Sequence, residues 1–281
     1  MQNNLKRYFP LFALPTLLAF IIAFLLPFLM GIYLSFTEFT TVGNARWVGF
    51  SNYIKAFTEN SYFVDALWFT VKFTVVSVIT VNLLAFVFAL LLTRRVRGRN
   101  LFRTILFMPN LIGGIVLGYI WQLIINGILM RYGVDITYSP EYGFWGMVLL
   151  TNWQLIGYMM IIYIAGLQNI PHEMQEVAKV DGASYMQSLR HITIPLVAPA
   201  ITICTFLTLT NSFKMFDQNY ALTAGAPGRT TSMLALDIYN TFYGGVGSEG
   251  VGQAKAVIFF VVVGIIAFVQ LKLTERKEKS Q

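Results

Sequence analysis

Long apolar runs alternate along the chain with short polar segments. Runs long enough for a spanning helix of about 20 residues occur at about 11–35, 70–93, 104–126, 143–168 and 195–213. A sixth run, 254–272, contains Lys255 near one edge, where a lysine stem can carry its ammonium group to the interface. The pattern predicts an all-α polytopic membrane protein with six transmembrane helices, in one domain covering 1–281, and an even number of spans places both termini on one side. The first run is free of charge from Tyr8 to Thr37. That is longer than the apolar core of a signal peptide, and no small-residue cleavage pattern follows, so the run reads as a retained span.

Interruptions of the pattern carry as much information as the runs. Pro109-Asn110 and Gly113-Gly114 fall inside the third run and mark it as kinked or loosened. The segment from Ser35 to about Ala66 carries Trp47-Val48-Gly49-Phe50-x-Asn52-Tyr53, an aromatic and polar mixture suited to a membrane interface. Asn126 to Tyr142 is short and punctuated by Gly127, Gly133 and Pro140. Thr223 to Gly252 holds an apolar stretch, Met233 to Phe242, that is too short and too polar to span.

The most distinctive interruption is the polar island from Ile170 to Pro199. It reads as two short helices. Pro171 suits a first helical position, and Glu173 and Glu176 place negative charge in the first turns, where the helix dipole favours it. Asp181-Gly182 ends that helix with a turn dipeptide. Ser184 can cap a second helix, Tyr185 to His191, with Arg190 and His191 in its last turn. Met174, Val177, Ala178 and Val180 fall near one side of the first helix, which gives it a face to dock.

Composition agrees with the pattern. Of 281 residues, 56% are hydrophobic and only 12% charged, against about a quarter charged in soluble domains. The net charge of +7 does not indicate a nucleic-acid partner, because the basic residues sit in short clusters beside apolar runs. Lys6, Arg7, Arg94, Arg95, Arg97, Arg99, Arg103, Lys179, Arg190, Lys272, Arg276, Lys277 and Lys279 fall on one side of the map, which is thereby assigned to the cytoplasm. Arg46, Lys55, Arg131, Arg229 and Lys255 fall on the other, diluted by seven acidic residues. A single cysteine, Cys204, lies in an apolar run and rules out an intrachain disulfide.

The residues Glu176-x-Ala178-x-x-Asp181-Gly182-Ala183, followed by Ile194-Pro195 and Pro199, closely resemble the EAA cytoplasmic loop of ABC importer permeases. Pro109, the run Gly157-Tyr158-Met159-Met160 and Leu222-Thr223-x-Gly225-x-Pro227 are similar to the carbohydrate branch of that family. Val177 and Leu189 depart from the usual alanine and aromatic residue, by small apolar changes. The resemblance implies a type I importer permease in a bacterial cytoplasmic membrane, with both termini cytoplasmic. It implies a second homologous permease, two ATPase subunits that hold ATP and Mg²⁺, and an extracellular solute-binding protein that delivers a carbohydrate. Glu173, Met174, Glu176, Val177, Ala178, Asp181, Gly182 and Ala183, within a coupling loop at 171–194, would then meet an ATPase.

Little else in the chain suggests chemistry of its own. No G-x-x-x-x-G-K followed by Ser or Thr is present, so ATP is not held here by a P-loop. His172 and His191 both lie in the polar island, and no cluster has metal-ligand spacing. In the fourth run Thr151, Gln154, Leu155 and Tyr158 recur on one helical face, mixing hydrogen-bonding groups with an aromatic ring, as a sugar site requires. Thr205, Thr208, Asn211 and Ser212 form a similar stripe in the fifth run. The same groups also satisfy neighbouring backbone in ordinary spans, and both readings stand at this point. Lys214 and Asp217, spaced i, i+3, form a possible polar pair or face an aqueous cavity. An ion-coupled secondary transporter is the alternative function, but it would need an acidic or histidine relay within the spans. An intramembrane enzyme would need a catalytic cluster that the sequence does not offer.

Overall fold

The computed structural model describes residues 13–58, 62–94 and 97–278. Lys6, Arg7, Arg95 and Lys279, used above for orientation, lie outside the described residues. Among the described residues five helices are long and apolar enough to cross a membrane, and a sixth span is formed if one bent helix pair is counted as a single crossing. The chain divides into two compact units, Met1–Phe63 with Asp237–Val261, and Val64–Leu236 with Val262–Gln281.

The first unit opens with α1 (Ala13–Ser35), which contains a widened π turn at Ile21–Leu25 just before Pro27. Proline cannot donate to the helical ladder and its ring crowds the preceding turn, and the wider turn absorbs both effects. Strands β1 (Thr37–Glu38) and β2 (Arg46–Trp47) pair antiparallel, and α2 (Ser51–Thr58) follows. Asn52 fixes this segment by donating to the carbonyls of Ser35 at 3.0 Å and Thr37 at 2.8 Å. Around it, the rings of Tyr33, Phe36, Trp47, Phe50 and Tyr53 stack or meet edge-on in one cluster.

Helix α3 (Tyr62–Thr93) starts at Tyr62, earlier than the 70 expected. Asp65 and Lys72 interrupt the apolar run, yet Asp65 sits in the favourable first turn and Lys72 Nζ lies 5.3 Å from the Trp68 ring centroid. The third run, expected as one span at 104–126, is broken. It forms α4 (Arg99–Phe107), a 3₁₀ turn at Met108–Leu111 and α5 (Gly114–Leu129). Pro109 denies the ladder a donor, and Gly113 is extended, with φ −60° and ψ 141°.

Helix α6 (Pro140–Gln168) is the axis of the second unit, with 72% of its most apolar window buried. Pro140 stands at the first turn and Ser139 caps it. Its inner face packs Leu155, Met159, Met160 and Tyr163 against Val81, Ala85 and Ala89 of α3. Gly157 lets α4 cross closely, since a Cβ there would overlap the Leu106 carbonyl. After α6 come α7 (His172–Val180), α8 (Tyr185–Leu196) and α9 (Ala198–Phe213).

Two expectations about this stretch are corrected. The loop's second helix does not end at His191 but continues to Leu196 through a π turn at Leu189–Thr193, which again lies just before a proline, Pro195. The fifth span is not a single helix from 195, because α8 and α9 meet at a 69° bend. Then α10 (Asp217–Leu222) lies against α5, where Gly114 and Gly118 leave room, and α11 (Leu234–Phe242) and α12 (Glu249–Glu278) complete the chain. Large apolar side chains such as Ile22, Leu83, Leu123 and Ile265 remain exposed along the spans. In water that exposure would be costly, but against lipid tails it is neutral.

Candidate functional site

Two features of the second unit stand out, a polar cavity beside α6 and the segment formed by α7 and α8. The cavity has a volume of about 620 Å³. Gln154, Leu155 and Tyr158 of α6 form one wall, and Leu207 and Asn211 of α9 another. The chain after α9 supplies Lys214, Met215, Phe216, Asp217 and Gln218, and the 3₁₀ turn within the broken third run adds Asn110. Irregular backbone at membrane depth persists only where protein or an aqueous cavity satisfies it, and both irregular stretches border this space. Gln218 Nε2 donates to Gln154 Oε1 at 2.9 Å, so two amides are pre-aligned across the opening. Lys214 and Asp217 both line the cavity without forming the ion pair that the sequence spacing suggested. Among the described residues the ion pair found is Lys255–Asp237.

The stripes read from sequence divide accordingly. Gln154, Leu155, Tyr158 and Asn211 reach the cavity, whereas Thr151, Thr205, Thr208 and Ser212 do not line it. Thr151 is fully buried and donates to Met215 Sδ at 3.8 Å. Thr208 donates to the Cys204 carbonyl at 2.8 Å and accepts from Asn82 Nδ2 at 3.3 Å. Ser212 is buried, with its hydroxyl unpartnered. Tyr163 extends the network by donating to Asn82 Oδ1 at 2.7 Å. Such bonds between spans contribute about 0.6 kcal/mol each, so close packing on α6 dominates and the network sets register.

The α7–α8 segment is built from local signals. Pro171 precedes the helix as its cap residue, and Glu173 lies in the first turn. At the other end Gly182 adopts φ +75°, while Ala183 N donates to the Ala178 carbonyl at 2.9 Å and Gly182 N to the Lys179 carbonyl at 3.1 Å. This is a Schellman ending, which needs a left-handed residue where glycine stands. Ser184 and Gln187 then form a reciprocal capping box on α8, with Ser184 N donating to Gln187 Oε1 at 2.7 Å. The apolar face of α7 is split, correcting the single docking face expected. Ala178 is buried against the chain, while Met174, Val177 and Val180 are exposed, Val180 at 87%. Glu173, Glu176 and Asp181 are also exposed, and Ala183 is half-buried.

Residues 97–280 match the family model for the inner membrane component of binding-protein-dependent transport systems. The chain belongs to this family. It is 42% identical to the probable starch degradation products transport system permease protein AmyD of Thermoanaerobacterium thermosulfurigenes, over 95% of this chain and 94% of that one. It is 32% identical to the arabinooligosaccharides transport system permease protein AraP of Bacillus subtilis, over 94% and 87%. Its fold is similar to a chain in the crystal structure of a bacterial alginate ABC transporter complexed with an alginate pentasaccharide-bound periplasmic protein. That match has a TM-score of 0.80 at 21% identity, covering 98% and 97% of the two chains.

The permease is therefore a multi-pass membrane protein of the ABC importer fold. Sequence reasoning missed several residues of the two sites. Asn110 and Phe216 line the cavity from irregular chain and Gln218 from the first turn of the short helix α10, beyond the reach of helical periodicity. Asn82 and Tyr163 were visible as lone polar groups in apolar runs, a signal for buried hydrogen bonding. Lys255 was expected to carry its ammonium group out to the interface, but it is 5% exposed and bonded to Asp237.

Proposed function

We propose that this permease is a subunit of an ATP-driven carbohydrate importer, supplying half of the translocation pathway as one permease domain over 1–281. A homologous second permease supplies the other half, two ATPase subunits hold ATP and Mg²⁺, and an extracellular binding protein delivers the sugar. The excess of lysine and arginine on one side of the map assigns α7, α8 and both termini to the cytoplasm of a bacterial cell. The observation that carries this reading is the exposed ridge of Met174, Val177 and Val180 on a helix closed at its C-terminus by a Schellman turn. A nine-residue helix is marginal in water by itself, so an exposed apolar ridge on it calls for a partner, and Glu173 and Glu176 beside it suit a basic rim. Family membership supports an ATPase as that partner, and the sugars named for the relatives support carbohydrate as cargo.

The cavity suits such a cargo. Gln154, Gln218, Asn110 and Asn211 offer amide donors and acceptors to hydroxyls, and the Tyr158 ring offers a surface to the apolar face of a sugar ring. Closure of the ATPases pushes on α7 and α8. Because α8 continues into α9 through the 69° bend, that push acts on a wall of the cavity and shifts the population between access states.

The complex carrying Glu176→Ala with Gly182→Val tests the coupling role, since valine at a left-handed position costs about 1–2 kcal/mol. Sugar-stimulated ATP hydrolysis and uptake should both fall. Retained ATPases with normal stimulated hydrolysis and uptake would refute it. Tyr158→Ala and Gln154→Ala should lower uptake with assembly intact, and unchanged uptake in both would place the sugar elsewhere. Uptake that survives removal of the ATPases and follows an ion gradient would favour a secondary transporter instead.

A further inference from the structure

A second cavity, of about 730 Å³, lies where α3 and α6 end and α7 and α8 fold back. One wall is apolar and belongs to the span ends and α8, with Leu90, Leu167 and Leu189. The other carries Arg94, Lys179 and His172. No carboxylate lines the cavity, and neither Arg94 nor Lys179 is in an ion pair among the described residues. Arg94 is held in place by the Tyr185 ring, its guanidinium carbon 5.2 Å from the centroid. Basic groups collected in a concave site without counter-charges select an anion. Arg94 directly follows the last residue of α3, a candidate membrane span, so the cavity opens at an end of that span.

We propose that this cavity binds the headgroup phosphate of an anionic phospholipid, with Arg94 and Lys179 as its cationic contacts. The apolar wall decides between a lipid and a free phosphate. Leu90, Leu167 and Leu189 give a free phosphate nothing, but they accept the first methylenes of an acyl chain. The lipid bridges the end of α3 and the segment α7–α8, so the site ties the position of that segment to the composition of the bilayer.

The test uses the full chain in its purified complex, titrated by native mass spectrometry with phosphatidylglycerol, phosphatidylcholine and water-soluble glycerophosphoglycerol. Because binding is read directly, the outcome does not depend on transport or on the cargo. Each basic group near an anionic headgroup contributes about fivefold in affinity, so Arg94→Gln with Lys179→Gln should weaken phosphatidylglycerol binding about 30-fold at low salt. The charge-keeping pair Arg94→Lys with Lys179→Arg should restore most of it, which separates loss of charge from misfolding. Phosphatidylcholine should bind weakly to every form, and glycerophosphoglycerol should not compete. Equal phosphatidylglycerol binding by wild type and the glutamine variant would overturn the site. Equal binding of the two lipids would do so too. Full displacement by glycerophosphoglycerol would overturn the lipid assignment in favour of a free phosphoester. Loss of the ATPase subunits with phosphatidylglycerol retained would assign the cations to a protein partner.

Discussion

Lys255 and Asp237 offer the sharpest energetic test in the chain. Lys255 Nζ lies 2.8 Å from Asp237 Oδ2 and 2.8 Å from Thr241 Oγ1, with the Phe63 ring centroid at 5.4 Å. The two residues are 5% and 1% exposed, so neither charge is screened by water. Among the described residues the second carboxylate oxygen, Oδ1, has no hydrogen-bond partner, and the Lys255 ammonium is the cation that neutralises the acid. Removing one member of such a pair strands the other charge at a cost of about 3–5 kcal/mol, whereas replacing both with apolar residues of similar volume is close to neutral. Lys255→Met and Asp237→Leu should therefore each destabilise by about 3–5 kcal/mol, and the double variant should return to within about 1 kcal/mol of wild type. SDS-induced unfolding in mixed micelles, followed by far-ultraviolet circular dichroism, gives the three differences and the coupling energy. Single-variant losses under about 1 kcal/mol, the range of exposed pairs, would refute the buried-charge reasoning. So would a double variant as unstable as the singles.

Three further outcomes are expected. Gly157→Ala should destabilise the permease by about 1–3 kcal/mol in the same unfolding assay, because its Cβ would strike the Leu106 carbonyl and lie 2.6 Å from Phe107 N. Gly127→Ala, also helical but with open space around it, should be neutral or stabilising and serves as the contrast. Asn219→Ala should cost at least about 2 kcal/mol, since its fully buried amide donates to the Thr231 carbonyl at 2.8 Å and accepts from Met233 N at 2.9 Å. Cysteines placed at 97 and 229 in a Cys204→Ala background should react with impermeant reagents from opposite sides of the membrane, and labelling of both from the same side would refute the assigned topology.

The spans were legible because the hydrocarbon thickness imposes a length that few other constraints imitate, and α1, α3, α6 and α12 all fall on runs read from sequence. The segment α7–α8 was legible for a different reason. Pro171 opens α7 through its fixed φ, and Gly182, Ser184 and Gln187 are capping residues whose bonds close within a few positions, so local chemistry alone determines them. What local chemistry leaves open is orientation. The spacing of Met174, Val177, Ala178 and Val180 gave one face, but only the packing of α7 against the chain decides that Ala178 turns inward and the others outward. Lys255 was misread for the same reason. Its partner lies 18 residues away on another helix, and nothing in the run 254–272 points to it.

The cavity shows where periodicity stops being informative. A stripe on one helix repeats every three to four residues, so Gln154, Leu155 and Tyr158 could be read from α6 alone. The opposite wall is built from chain that is not regular helix. Asn110 sits in the turn that Pro109 forces, and Lys214, Met215 and Phe216 lie between the end of α9 and the start of α10. Within a membrane such backbone survives only beside protein or water that satisfies its polar groups. A proline or a run of polar residues that breaks a span therefore carries positional information. It marks the depth at which an aqueous cavity lies, even when the residues facing that cavity cannot be paired from sequence. On this reasoning Pro109 and the Lys214–Asp217 stretch were the better pointers to this cavity, whereas the hydroxyl stripe of Thr205, Thr208 and Ser212 does not line it, because a threonine or serine inside an intact helix can bond to its own backbone, as Thr208 does to Cys204.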